Sequence, residues 1–180
     1  MAVLMERSEQ RSQHSLVEPV LAEFREEAAT TRRVLERIPE EKLAWKPHAK
    51  SMSLGQLGWH IAANPGRVAE LVSGDSFDLK NGEFTVPQPD RLSEILTMHD
   101  EGVRDAGQFL QNLTQEQANA SWSLLRDGAL VFTRPRMAVI RMIMLSHWYH
   151  HRGQLSVYLR LLDVPVPIIY GRSADENPFA

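Results

Sequence analysis

His147 and His151 stand four residues apart in the segment HWYHHRGQL. A helix turns 100° per residue, so positions i and i+4 point the same way and lie roughly 6 Å apart along the axis. Two imidazoles placed like this can share one metal ion. An apolar line runs through them: Ile140, Met144, His147, His151, Leu155, Tyr158 and Leu162. Its steps of three and four are the spacing of a core-facing helix stripe. Two titratable rings therefore occupy positions where the pattern calls for hydrophobes. A buried polar ring costs free energy unless something satisfies it. A shared metal would satisfy both. The alternative is a pair of core histidines satisfied by backbone carbonyls or buried water.

Two histidines make half a site, and bundle metal sites are completed from facing helices. His60 is the best candidate for a third ligand, because it follows Leu57 by three residues at the edge of an apolar stripe. His99 is the reserve. His14 and His48 fall in an arm and a connector, and His150 points beside the line. Three imidazoles leave a tetrahedral ion with one open position. Zinc or nickel is the expected metal, and iron or cobalt also suits such a site. Arg152, Trp59 and Trp148 adjoin the candidate ligands and are candidate substrate contacts. Gln154 is placed to hydrogen-bond a ligand histidine.

Four helices are expected to position these residues. The first runs from Ser15 to Arg37, with Ser15 as a cap and Pro39 ending it. The second is capped by Ser51 or Ser53, closed by Gly74 and kinked near Asn64 by Pro65, which removes the amide partner of the Ile61 carbonyl. Residues 75–89 read as a long crossover loop. A third helix spans Asp90 to Leu113. Asp127-Gly128 between SWSLL and ALVFT signals a β-hairpin. Thr133 is the expected cap of a last helix, from Arg134 to about Asp163. The expected fold is an all-α four-helix bundle with a long crossover between helices two and three and a small hairpin before helix four. Residues 1–14 read as a flexible arm, and 15–180 as a single domain with an extended tail.

The chain has 180 residues, 43% hydrophobic and 24% charged, which suits a globular domain with a sizeable core. Its net charge of −3 gives no basic footprint, so no nucleic-acid partner is expected. No apolar run approaches the ~18 residues of a membrane span. The N-terminal residues lack a signal-peptide pattern, so the expected compartment is the cytoplasm. There is no cysteine, which excludes disulfides, a thiolate metal ligand and an internal thiol nucleophile. Any thiol chemistry must use an external low-molecular-weight thiol.

At HHRGQLSVYLRLL, and more broadly HWYHHRGQLSVYLRLLDVPVPIIYGRSADE, the sequence resembles the DinB-like superfamily of DNA-damage-inducible bundles, which includes bacillithiol-type S-transferases and mycothiol-dependent isomerases. RIPEEKLAWKPHAKSMSLGQLGWHIA resembles the family's entry into helix two. The tail departs from the family pattern in carrying Arg172 where a proline usually follows the glycine. The resemblance implies a divalent metal held by one histidine of helix two and an HxxxH pair of helix four. Those positions are filled here by His60, His147 and His151. It also implies a homodimer. The first functional expectation is a metal-dependent thiol S-transferase acting on a small molecule. The alternatives are a non-enzymatic, stress-related metal-binding bundle and a metal-dependent hydrolase.

Overall fold

The computed structural model describes residues 15–179; the N-terminal arm of the sequence reading lies outside them. Four long helices and a three-stranded sheet enclose one contiguous apolar cluster. Helix α1 (Val17–Leu35) buries Val17, Val20, Phe24, Ala28, Thr31 and Val34, the three- and four-residue steps of one face. The Ser15 hydroxyl accepts the Glu18 amide and so performs the expected capping role. Helix α2 (Leu54–Ser73) opens on a capping box in which Ser53 and Gln56 each satisfy the other's backbone amide at 3.0 Å.

Helices α2 and α3 (Leu92–Asn112) run parallel, because Gly58 faces Ile95 and Gly66 faces Gly102. A Cβ on Gly66 would sit 3.0 Å from the Gly102 Cα, so both positions must be glycine for this approach. Parallel neighbours need a connection that returns the full helix length. The crossover does this, and it is tied back to the start of α2: Ser53 donates to the Gln88 side chain, and Gln56 donates to the Val86 carbonyl.

The crossover is more ordered than the expected loop. Ser76–Asp78 forms strand β1, which pairs in parallel with β2 (Ser121–Arg126), and β2 pairs antiparallel with β3 (Ala129–Pro135). The expected hairpin is therefore one side of a three-stranded sheet. Its two-residue turn puts Asp127 and Gly128 at φ of 51° and 79°, the left-handed region that such turns require. The Asp78 carboxylate accepts both turn amides, at 3.0 and 2.8 Å. A three-residue strand has no periodicity to read, and its partner is distant in sequence. A short helix α4 (Gln115–Asn119), capped by Thr114, precedes β2.

The last helix, α5, is continuous in three stretches: α-helical Arg136–Val139, π-helical Ile140–Ser146 and α-helical His147–Leu161. It starts later than expected, because Thr133 is spent in β3, where its hydroxyl meets that of Ser123 at 2.8 Å. The π stretch also shifts the helix face. The His147 amide reaches back five residues to the Met142 carbonyl, and the wider turn takes up an extra residue. The fully buried line is consequently Ile140, Met144, Trp148, Arg152, Leu155 and Leu159. His147, His151, Tyr158 and Leu162 are half-buried beside it, and not along its centre as uniform helical spacing predicts.

Candidate metal centre

Two irregular helix segments face each other at the site. Pro65 cannot donate to the Ile61 carbonyl one turn earlier. Trp148 fills that place: its indole N–H donates to the Ile61 carbonyl at 2.8 Å. In return, the Asn64 side-chain amide on α2 donates to the Met144 carbonyl, within the π stretch of α5, at 2.9 Å. Both bonds are buried, where a hydrogen bond is costly to lose. They fix α2 against α5, the Trp148 bond one residue from both His60 and His147 and the Asn64 bond four and three residues from them. The sequence reading named Asn64 only as the place of the kink and gave it no hydrogen-bonding role. Its signal was an amide between the buried Ile61 and Val68, immediately before a mid-helix proline.

His60, His147 and His151 meet at this junction. The His60 Nε2 lies 3.0 Å from the His147 Nε2. Ring centroids are 4.5 Å apart for His60 and His151 and 4.3 Å for His147 and His151. One ligand nitrogen from each ring falls within 4.8 Å of the others. Among the described residues, they form the one group of three or more His, Asp or Glu side chains close enough to share an ion. Gln154 occupies its expected place, with its Oε1 2.7 Å from the His151 Nδ1. An amide oxygen can only accept, so Nδ1 carries the proton and Nε2 keeps its lone pair free.

The environment favours neutral rings. Burial, then the neighbouring His151 and His147, then Arg67 push the His60 pKa down to about 4. Burial also lowers His147, assisted by His151 and His150. Burial lowers His151 as well, against the opposing hydrogen bond that its Nδ1–H donates to Gln154. Neutral imidazoles are the form that binds a metal. The donor set thus fits a metal ion: three nitrogen donors converge, and none is held protonated by a carboxylate.

The other sequence candidates lie elsewhere. Arg152 is 1% exposed and faces α1 and the tail. It donates to the Thr31 hydroxyl at 3.0 Å and pairs with Glu27 at 2.5 Å, and it also bonds the Tyr170 hydroxyl. It is not a substrate contact: its charge is already neutralised and closed to solvent. Trp148 is also 1% exposed, stacked on Phe24 and His99, so it supports the site from the core and presents no wall to a small molecule. Trp59 is half-buried beside His60 and remains available. His99 is buried against Trp148, away from the cluster, and His48 accepts the Lys50 amide in its connector. His150 is exposed, with its ring 4.9 Å from that of His151.

The DinB family model matches residues 8–177. The chain belongs to the DinB family. One relative is the uncharacterized protein YrdA of Bacillus subtilis strain 168, 24% identical over 155 residues, covering 83% of this chain and 85% of that protein. The fold is similar to that of the DinB-like protein YjoA of Bacillus subtilis, with a TM-score of 0.68 at 20% identity, over 87% of this chain and all of that one. It is also similar to a DinB-like protein of Bacillus cereus ATCC 10987, with a TM-score of 0.66 at 22% identity, over 83% and 95% of the two chains. These likenesses establish the fold, and the histidine geometry bears the chemistry. No helix among the described residues is long and apolar enough to cross a membrane.

Proposed function

We propose that this DinB-family chain is a metal-dependent enzyme of the thiol S-transferase type. The observation that carries the reading is the convergence of His60, His147 and His151 on one half-buried point. One nitrogen of each would hold a single divalent ion, zinc or nickel in the first instance. When bound, that ion supplies positive charge beside an open coordination position, which favours the thiolate form of a small thiol at neutral pH. The chain has no cysteine of its own, so the sulfur comes from a second substrate.

The residues of the chain do the positioning. Gln154 fixes the His151 ring, and the Trp148 and Asn64 bonds hold α2 and α5 at one spacing. The half-buried setting limits water around the nucleophile while leaving one side open. In the conjugation a carbon–sulfur bond forms at an electrophilic carbon, the bond to its leaving group breaks, and the thiol proton passes to solvent. A homodimer belongs to the same reading and is checked by light scattering at several concentrations.

The test is a conjugation assay with several low-molecular-weight thiols and an activated electrophile, using chain loaded with zinc or nickel. The expected result is metal-dependent product formation that is lost in His147→Ala. No conjugation with any thiol, together with a rise in melting temperature on metal binding, would replace the enzyme with a metal-stiffened binding module.

A further inference from the structure

Resting on the reading of the three histidines as a metal centre, we propose that His99 is a buried proton switch that tunes that centre through Trp148. His99 lies on α3, 3% exposed, and takes no part in the chemistry described above. Its Nδ1 is 3.3 Å from an Asp100 carboxylate oxygen, which also accepts the Arg32 Nε–H at 3.0 Å. A carboxylate can only accept, so the neutral ring carries its proton on Nδ1. The bare Nε2 is then closed to water and meets no hydrogen-bond partner. An orphaned buried polar atom of this kind is uncommon in folded chains.

The ring touches the element that sets the metal centre. Two rings stack on Trp148, Phe24 at 5.7 Å and His99 at 6.1 Å. The Trp148 indole N–H makes the buried bond to the Ile61 carbonyl at 2.8 Å, and its chain neighbour is His147. A change in how His99 packs therefore passes through Trp148 to the α2–α5 spacing, on which the approach of His60 to His147 depends.

The two protonation states of His99 ask for different places. Burial favours the neutral ring and lowers the pKa; Asp100 on α3 and the Ala28 backbone on α1 oppose this, and Arg32 on α1 adds to it. Arg32 is itself paired with Glu36 at 3.1 Å, and Trp148 brings no charge from α5. The imidazolium gains a second N–H, at Nε2, together with a charge that the core disfavours. It relieves both by moving toward the Ala28 carbonyl and the exposed Asp100 carboxylate, away from the indole. Trp148 then loses one of its two stacked partners, and its hold on Ile61 slackens. Coupling of this sort is reciprocal, so an ion that tightens the junction lowers the His99 pKa in return.

The experiment is an NMR titration of the full-length, metal-free chain labelled with nitrogen-15, from about pH 8 to about pH 5, across the ordinary histidine range. Loss of a signal in His99→Asn assigns the His99 ring, and loss in Trp148→Phe assigns the Trp148 indole. The expected result is one midpoint, below 6.5, shared by the His99 ring and the Trp148 indole N–H. The indole shift persists in His60→Ala and is lost in His99→Asn. Should His99→Asn fail to fold, the matching midpoints in the natural chain and in His60→Ala decide alone. Added zinc lowers the His99 midpoint. An indole signal that stays still while His99 titrates, or that follows His60 instead, would overturn the switch, as would a His99 ring that never titrates in the folded chain. An unchanged midpoint in chain that has taken up zinc would overturn its coupling to the metal centre. No zinc uptake would overturn the metal reading, with the indole shift still deciding whether His99 controls the α2–α5 junction.

Discussion

The α5 helix carries two polar groups side by side, the buried Arg152 guanidinium and the half-buried imidazoles of His151 and His147 one and five residues before it, and they are handled in opposite ways. Arg152 is enclosed and saturated: Thr31, Glu27 and Tyr170 take its N–H groups, and its guanidinium lies over the Tyr149 and Tyr170 rings at 5.4 and 5.0 Å. Such a group holds α1, α5 and the tail together and has nothing left to offer a ligand. The histidine cluster is half-buried, contains no counter-charge, and its ring nitrogens have mainly one another and Gln154 for partners. Polar groups brought together and left with spare lone pairs mark a binding site. The two regions should respond differently to every perturbation.

The largest effect on the fold is expected at the saturated region. Arg152→Ala removes a buried guanidinium from Thr31 and leaves the part-buried Glu27 with only the Tyr170 hydroxyl, and should cost about 3 kcal/mol in denaturant unfolding. Metal stoichiometry of the chain that remains folded should not change. The opposite outcome, a fully stable fold with altered metal content, would merge the two regions into one site.

Metal removal should act through the cluster alone. An ion present at a hundredfold above its dissociation constant adds about 2.7 kcal/mol to stability, which a chelator should abolish. His151→Ala should show no such increment. A smaller loss of about 1–3 kcal/mol is expected for Trp148→Phe, which strands the Ile61 carbonyl, and weaker metal binding should accompany it. Gln154→Ala should leave unfolding unchanged while weakening metal affinity roughly ten- to hundredfold in competition titrations.

The pH dependence of the metal-free chain sharpens the contrast further. His60 titrates at about 4 in the fold against 6.5 when unfolded. Between those values the unfolded chain binds more protons, so acid favours unfolding. The contribution of His60 to stability is complete above pH 6.5 and is lost as pH falls toward 4. Replacing His60 with Ala should flatten that part of the stability profile, as followed by thermal melts across the range.

Much of this was legible in the sequence. Capping by Ser53, the Asp127-Gly128 turn, the Ile61 carbonyl left without its helical partner and the i, i+4 pair His147 and His151 depend on local rules, and all appear in the structure; His60 was joined to the pair by its stripe position and by the family resemblance. What was not legible depends on contacts between distant segments. Strand β1 exists because β2 lies beside it. The π stretch shifts the α5 face, so a uniform turn angle carried past Ile140 placed the histidines at the centre of the buried line and left Arg152 in solvent. Arg152 could not be read as internal without knowing that Glu27 and Tyr170, far away in the chain, converge on it.

The most direct test of the central claim is elemental analysis of untagged protein beside His147→Ala, each offered zinc, nickel and iron and then washed. The account predicts about one divalent ion per natural chain and none in the variant, with both folded. No bound metal in either would contradict it, making the three histidines a core cluster that satisfies itself.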